Sequence, residues 1–419
     1  MYISNLKKIL EEISKNKITS LTLISMAFVF PTISRQFALG LPLLFVWATL
    51  AMSYDIILGF CGIPSFGHAA PFGIGVFTSA ILISKGYPLI IAILAAAFTG
   101  MFINMAMSLP CYRVKGIYYA ILTLAIAEMI HILISNIAKT TVAITTGTPP
   151  ELVNIINLWL FGIIIVILCS FSSLAYIKNT ITTKNGRIKV LKTIIYLLFS
   201  LILIYGTYEY FRDLTQLFFE ETLSYPKLVR KLIPLNRYYY TLIIMLISYI
   251  VLYRILKSPL GTIFIAIREN PERAEIIGYN VFRYIVFSFA ISGFFAGLSG
   301  ASYMICIPTA TLEVLTSDKT FIALLGAVIG GLGTLTGPLF GGMLVGLLRD
   351  YLSKITPSIH KILPFLSIQQ LQLLPTVILG LIYIAIVMLL PFGILGTWYF
   401  KGSKVKRKIK MILTGREWR

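Results

Sequence analysis

Long apolar runs are the feature that most limits what this chain can fold into. About ten of them are close to 20 residues long, the length of helix that crosses about 30 Å of hydrocarbon. The chain is 58% hydrophobic and 12% charged, whereas a soluble domain carries roughly 25% charged residues. A soluble chain of this composition would expose large apolar patches, so lipid is the expected solvent. The runs occupy residues 18–37, 41–60, 65–84, 87–109, 117–138, 156–177, 193–211, 238–256, 284–306 and 373–393.

The basic residues predict a topology in which both chain ends lie in the cytosol. The net charge is +20, from 36 Lys and Arg against 16 Asp and Glu. These charges lie between apolar runs rather than along one polar face, which argues against nucleic-acid binding. If ten helices cross the membrane, about two thirds of the basic residues fall on one side, and the positive-inside rule makes that side the cytosol. The segments concerned are 1–17, 110–116, 178–192, 254–283 and 394–419.

An eleventh apolar stretch, 320–350, is interrupted by glycines and predicts a re-entrant pair of short helices. Irregular backbone at membrane depth is tolerated only inside protein or beside a water-filled cavity. The expected fold is therefore all-α: a polytopic integral membrane protein with about ten transmembrane helices and a glycine-rich re-entrant helix pair. The glycines of interest are Gly330, Gly331, Gly333 and Gly337. The expected divisions are a cytosolic amphipathic N-terminus at 1–17, a transmembrane domain at 18–398 and a basic cytosolic tail at 399–419.

The segment 258–284 is a cytosolic loop that is too polar at its centre to lie in lipid. Asn270 can cap a short helix, with Pro271 at the first helical position. Gly278 can end that helix in the left-handed conformation, so the predicted helix covers about 271–277. A short helix between two membrane spans suits docking on a partner protein. An ordinary solvated loop fits the same residues equally well.

Glycines also interrupt the apolar segment 59–77. Glycine permits unwound backbone, whose free N–H and C=O groups can bind a zwitterion in a dry site. We therefore consider Ser65, Gly67 and His68 as candidates for a translocation path. A histidine near a helix end is more often a hydrogen-bonded structural residue, and that interpretation stays open.

The apolar run 117–138 contains two ionisable residues, Glu128 and His131, three positions apart. That spacing brings both side chains to one helix face. They could pair with each other, or Glu128 could bind an ammonium group in the path. Gly147, in the turn TTGTPP that follows, is a further candidate for the substrate mouth, and an inert loop fits the same residues equally well.

The motifs that the chain lacks exclude several kinds of enzyme. It has no G-x-x-x-x-G-K-[ST] phosphate loop, no HExxH and no GxSxG, so we expect no catalytic residues and no ATPase activity of its own. The four cysteines contain no CxxC pair, which predicts neither a disulfide framework nor a metal site. An autonomous secondary transporter remains an alternative, although such carriers usually contain more buried acids or histidines. The cysteines are Cys61, Cys111, Cys169 and Cys306.

Four blocks of the sequence resemble the permease family of branched-chain amino acid ABC importers. They occur in the family's order and span about residues 45 to 395. The blocks are GFCGIPSFGHAAPFGIGVFTSA, RVKGIYYAILTLAIAEMI, SPLGTIFIAIRENPERAEIIGYNVFRYIVFSFAISGFFAGLSGASYM and LLGAVIGGLGTLTGPLFGG.

This resemblance implies a multi-pass subunit of the prokaryotic cytoplasmic (inner) membrane that carries a small polar solute. Branched-chain amino acids are the first expectation, and urea or short-chain amides are the alternative, because permeases for those solutes share the blocks. The implied partners are a second permease subunit, two cytosolic ATPase subunits that bind ATP and Mg²⁺, an extracytoplasmic binding protein and membrane lipid. No cofactor is expected in this chain itself. The loop would be the ATPase-coupling element, formed by Arg268, Glu269, Asn270, Glu272, Arg273, Ala274 and Gly278.

Overall fold

The structure, a computed structural model, describes most of the chain between residues 35 and 362. Its ranges are 35–114, 116–137, 143–145, 149, 160–164, 166–167, 208, 212 and 225–362, with the single positions 378, 380, 381, 383, 384 and 393. The predicted N-terminal helix at 1–17, the tail at 399–419 and Gly147 lie outside the described residues. The predicted spans 18–37, 156–177, 193–211 and 373–393 lie mostly outside them.

The described part of the chain is almost entirely helical. Its α-helices are α1 (Arg35–Asp55), α2 (Ala69–Ser84), α3 (Leu89–Ser108), α4 (Ile117–Ile137), α5 (Tyr225–Lys257), α6 (Pro259–Glu269), α7 (Pro271–Ile276), α8 (Val281–Cys306), α9 (Ser317–Gly330) and α10 (Thr336–Ile362). A π-helical turn, Ile56–Phe60, continues α1, and 3₁₀ turns occupy Leu109–Tyr112 and Leu312–Leu315. Two short strands, β1 (Ala143–Thr145) and β2 (Thr309–Thr311), pair antiparallel with Ile144 opposite Ala310. The all-α prediction did not include this strand pair.

Five of the helical segments are long and apolar enough to cross a membrane, counted over the described residues alone. They are Gly40–Phe60, Leu89–Ser108, Ile117–Asn136, Ile233–Lys257 and Val281–Cys306. Each one coincides with a predicted span. The chain is therefore a polytopic helical membrane protein.

Two predicted span boundaries are wrong. The sequence placed a break between runs 18–37 and 41–60, but α1 continues through Gly40 and Pro42. Proline is tolerated in membrane helices, because neighbouring groups can satisfy the carbonyl that it leaves free. The next predicted span began at Ser65, whereas α2 begins at Ala69 and residues 61–68 are non-helical. Pro64 and the glycines around it break the helix there.

The glycine-rich stretch forms two helices that pack against each other, α9 and α10, joined by a turn at 331–335. Gly331 and Gly333 have φ values of 117° and 73°, which explains why the turn needs glycine. The second helix has 27 residues and runs to Ile362, beyond the predicted end at 350, so only α9 is a short helix as predicted. The 14 residues of α9 rise only about 21 Å, too little to cross about 30 Å of hydrocarbon.

The chain divides into two compact units, one of Met1–Leu41 and Pro150–Tyr240 and one of Pro42–Pro149 and Thr241–Arg419. In the second unit α8 packs closely on α2 and α3. Gly297 of α8 permits this, because a side chain there would collide with the backbone of α3 at Ala96. Asn104 of α3 donates a 2.8 Å hydrogen bond to the Phe289 carbonyl of α8. The described core of the first unit contains a ring stack of Phe161 on Tyr239.

The membrane helices differ in how deeply they are buried within the protein. The most apolar window of Gly40–Phe60 is 89% buried, whereas that of Ile117–Asn136 is 22% buried. Polar side chains on α1 therefore have protein neighbours. On α4, by contrast, few side chains are buried within the chain itself.

Candidate functional site

The predicted short helix of the 258–284 loop is present as α7. Asn270 caps it, because the Asn270 side-chain oxygen accepts a hydrogen bond from the Arg273 N–H at 3.0 Å. Pro271 occupies the first turn, and Gly278 has a φ of 102° just beyond the end. The helix ends at Ile276, one residue earlier than predicted. Local capping signals therefore determined this element.

The segment before α7 is also a helix, which the sequence analysis missed. In α6 the buried residues Ile263, Phe264 and Ile267 share one face. Their 3–4 residue spacing indicates a helix, but the polar residues at the centre of the segment indicate a loop. The loop is therefore two short helices in sequence rather than one.

One face of α7 is fixed to the rest of the unit and the other is open. Ala274 is buried in a small apolar cluster with Cys61, Ile267 and Val281, among others. Beyond it Ile276 and Ile277 are 85% and 74% exposed. Glu272, Arg273 and Glu275 around them are exposed as well. The two isoleucines are not among the residues predicted for coupling, although two adjacent isoleucines in a polar loop are a signal that the sequence contains.

Arg268, at the end of α6, connects this loop to the end of the α1 span. Its Nη1 atom donates a 2.6 Å hydrogen bond to the Gly59 carbonyl. Its Nη2 atom lies 3.5 Å from the Glu269 carboxylate, which is largely exposed. Beside Arg268 is a cavity of about 710 Å³ whose polar lining includes Glu275 and Asn280. Arg268 and Glu269 thus take different positions: Arg268 contacts the core, and Glu269 points outward.

The non-helical segment 61–68 is held by hydrogen bonds from three helices. The Tyr54 hydroxyl of α1 donates to the Ser65 carbonyl at 2.9 Å. The Phe66 N–H donates to Thr123 Oγ1 of α4 at 3.0 Å. The Ala69 N–H, at the start of α2, donates to Thr320 Oγ1 of α9 at 2.7 Å. Backbone groups that the broken helix leaves free are therefore satisfied by side chains.

The candidate path residues of this segment are in the protein interior. His68 is buried, with Nε2 2.8 Å from Ser53 Oγ and its ring edge-on to Tyr54. Ser53 Oγ also lies 2.7 Å from the Leu50 carbonyl. Gly67 has no room for a side chain, because one would meet the Thr123 carbonyl. One ring nitrogen of His68 is thus hydrogen-bonded, whereas its Nδ1 atom is buried and has no hydrogen-bond partner among the described residues.

Glu128 and His131 contact each other through Oε1 and Nδ1 at 3.1 Å. The predicted pairing of the two is therefore present. Half of the Glu128 side chain is exposed, so the pair lies on the outer surface of α4. The structure does not bring Glu128 together with the buried His68.

The N-terminal end of α9, away from the turn 331–335, carries a cluster of charged side chains. Asp318 lies 3.0 Å from Arg349 Nη2 and 3.4 Å from Lys319 Nζ. Lys319 is nearly buried, and this burial lowers the pKa of its ammonium group, an effect that Asp318 opposes. Among the described residues no group of three His, Cys, Asp or Glu side chains could hold a metal ion.

Known proteins with similar sequences are membrane permeases. The sequence profile of the family described as branched-chain amino acid transport system / permease component matches residues 37–390. The high-affinity branched-chain amino acid transport system permease protein LivM of Escherichia coli (strain K12) is 24% identical over 346 residues, which are 80% of this chain and 68% of the relative. Its counterpart in Salmonella typhimurium is 23% identical over the same shares.

A shorter match involves a nucleoside permease. The guanosine ABC transporter permease protein NupQ of Bacillus subtilis (strain 168) is 31% identical over 108 residues, which are 25% of this chain and 34% of the relative. No solved structure matches the chain. The profile covers most of the chain, including the π-helical turn, the two-helix loop and the α9–α10 pair. The chain therefore belongs to the branched-chain amino acid permease family of ABC transporters.

Proposed function

We propose that this chain is the membrane subunit through which an ABC importer takes up branched-chain amino acids, with ATP hydrolysed by partner subunits. Family membership and the two LivM relatives support the class of solute. The structural observation that carries the proposal is α7. It is a capped helix, fixed through Ala274, that presents Ile276 and Ile277 outward.

Exposed isoleucines next to charged side chains are typical of a protein interface. Apolar side chains gain free energy when a partner removes them from water, and such anchors dominate binding energy when polar residues surround them. The segment 254–283, which contains the loop between α5 and α8, has five Lys and Arg against three Glu, and we assign it to the cytosol by the positive-inside rule. A cytosolic ATPase subunit is the partner that this position implies.

The topology that we propose has ten crossings, both chain ends in the cytosol and α9–α10 as the re-entrant pair. The short length of α9 and the glycine turn after it support a helix that enters and returns. The proposed divisions are 1–17, 18–398 and 399–419. Single cysteines in place of Lys17 and Lys401 test the ends: both should react with an impermeant maleimide only from the cytosolic side of oriented vesicles.

A second permease subunit is the proposed neighbour of α4. A charged group in the middle of a membrane helix is costly in lipid. Glu128 is half-exposed in the single chain, so we propose that its face adjoins an aqueous path between two permeases. The segments 139–155 and 308–319 are assigned to the extracytoplasmic side, opposite the loop 258–284. They are the proposed docking area for the binding protein.

The decisive experiment is reconstitution in lipid nanodiscs and vesicles. The chain is combined with a second permease of the family, ATPase subunits and a substrate-binding protein from the same organism. We expect leucine uptake that requires ATP and all four components. Uptake by the chain alone, driven by an ion gradient, would instead identify a secondary transporter.

A nucleoside is the second candidate solute, because one relative over part of the chain transports guanosine by name. Calorimetric titration of the binding protein with leucine, isoleucine, guanosine, urea and acetamide separates the candidates. We expect binding of leucine or isoleucine. Selective binding of guanosine, or of urea and amides, would change the assigned solute but not the transport class.

A further inference from the structure

The cavity of about 710 Å³ beside Arg268 has no role in the function proposed above. Its volume is within the range of roughly 300–1,000 Å³ that small-molecule sites occupy. Its lining comes from the non-helical segment 61–64, the start of α4, the helices α6 and α7, and the start of α8. All of these parts belong to one compact unit of the chain. The cavity therefore has the size and the enclosure of a ligand site within a single subunit.

Most of the side chains that line the cavity are apolar. Apolar groups of a ligand gain free energy here in proportion to the area that the wall removes from water. The wall therefore suits a branched aliphatic group. Its apolar side chains include Ile63, Val114, Ile267, Val281, Phe282 and Ile285.

Arg268 brings a positive charge to this cavity. Its guanidinium group has five N–H donors, and the 2.6 Å hydrogen bond to the Gly59 carbonyl uses one of them. Its Nη2 atom lies 3.5 Å from Glu269, and 38% of the Arg268 side chain stays exposed. Donors therefore remain for a ligand carboxylate, which arginine can bind through two parallel hydrogen bonds.

Glu275 of α7 brings a negative charge to the same cavity. Within the described part of the chain it forms no ion pair, although Arg268 lines the cavity as well. Asn280 adds polar donors, because its side-chain oxygen accepts the Arg283 N–H at 3.1 Å and its amide N–H groups do not take part in that bond. A guanidinium and a carboxylate that line one cavity without pairing are complementary to a ligand with both charges.

We propose that this cavity is a second solute site, which binds a zwitterionic amino acid with a branched aliphatic side chain from the cytosol and thereby slows further uptake. Arg268 and Asn280 donate hydrogen bonds to the ligand carboxylate, and Glu275 accepts hydrogen bonds from its ammonium group. The aliphatic side chain lies against the apolar wall. The identity of the solute and the cytosolic position of the cavity rest on the proposed function.

The position of the site explains how its occupation affects transport. A ligand between Arg268 and Glu275 connects α6 with α7, and a ligand stabilises the arrangement that binds it. A transporter has to change its arrangement in every cycle, so a ligand that favours one arrangement slows the cycle. The two exposed isoleucines of α7, Ile276 and Ile277, do not line the cavity, so this face stays available to a partner.

The first experiment measures binding of radiolabelled leucine to the full-length chain in phosphatidylcholine nanodiscs by equilibrium dialysis. Glu275→Gln should raise the Kd about tenfold, because it removes a charged acceptor. Glu272→Gln is the matched control and should keep the parent's Kd, since Glu272 is an exposed glutamate of the same helix that does not line the cavity. The analogues 4-methylpentanoate and 3-methylbutylamine each lack one charge and should compete at least tenfold more weakly than leucine. Absence of saturable binding, an equal Kd for Glu275→Gln and the parent, or equal competition by either analogue would overturn the proposal.

Cys61 locates the bound leucine, because its buried side chain lines the cavity. A variant with serine at the other three cysteines leaves Cys61 as the single thiol for a water-soluble maleimide. Leucine at ten times its Kd should slow this labelling about tenfold, since about one tenth of the sites then stay empty. An unchanged labelling rate would place the leucine elsewhere and overturn the proposal.

The last experiment separates the inhibitory site from the proposed function. Vesicles with the assembled importer contain ATP, with or without unlabelled leucine, and take up radiolabelled leucine from outside. Internal leucine should lower the uptake rate of the parent and should lower that of Glu275→Gln much less; the ratio of the two rates cancels each variant's own basal activity. ATP-dependent uptake that internal leucine does not slow would overturn the inhibitory site and leave the proposed function intact. Absence of ATP-dependent uptake would refute the proposed function, whereas dialysis tests the cavity without it.

Discussion

Replacing both Ile276 and Ile277 with alanine should weaken binding of the ATPase subunits without harming the fold. The two side chains are 85% and 74% exposed, so docking can bury most of each. Full burial of an isoleucine contributes about 1.5–3 kcal/mol, and truncation to alanine keeps part of that gain. We therefore expect a combined loss of about 2–4 kcal/mol, or roughly a 30- to 1,000-fold rise in Kd.

The assay is biolayer interferometry with the permease pair immobilised in nanodiscs and the ATPase subunits in solution. Ile247→Ala is the matched control. It removes the same atoms from an exposed isoleucine at membrane depth on α5, where a cytosolic protein cannot reach. The thermal midpoint of the double variant should equal that of the parent, because neither isoleucine contributes to the core. An unchanged Kd would refute docking through α7.

Three further perturbations test other parts of the structure. Combining Glu272→Lys with Arg273→Glu reverses two exposed charges on α7 and should lower ATP hydrolysis stimulated by the loaded binding protein; unchanged hydrolysis would contradict a coupling role. Gly297→Leu should prevent the close contact of α8 with α3 and abolish a monodisperse peak in size-exclusion chromatography. Leu298→Ala adds no bulk and should keep the monodisperse peak. Thr123→Val removes the acceptor of the Phe66 N–H and should cost about 1–3 kcal/mol, seen as a lower thermal midpoint, whereas Thr262→Val on the exposed face of α6 should leave the midpoint unchanged.

The features that followed from the sequence depend on residues close together in the chain. The cap at Asn270 and the left-handed Gly278 act within one helical turn. The Glu128–His131 contact requires only a spacing of three on a helix. Helix α6 has the same kind of local signal in the spacing of its apolar residues, but the polar residues that follow it favour a loop over the same segment.

The position of His68 could not be derived in this way. Glycines around it suggested open backbone near a path, but its Nε2 contacts Ser53 on another helix and its ring lies edge-on to Tyr54. An ionisable residue in an apolar run is compatible with a solvated site and with an interior hydrogen bond. Which one is realised depends on the helices that pack around it.

The sequence by itself determined that lipid is the expected solvent, the approximate positions of the spans, and the caps of the proposed coupling loop. Each of these depends on run length, charge or spacing within a few residues. Only the tertiary structure decided that Arg268 meets Gly59, 209 positions away, and that Asp55 meets Gly333, 278 positions away. Asp55 lies within the apolar run 41–60, and composition cannot show which backbone donors a buried carboxylate will meet. That choice is made when the helices pack and each buried polar group must find a partner.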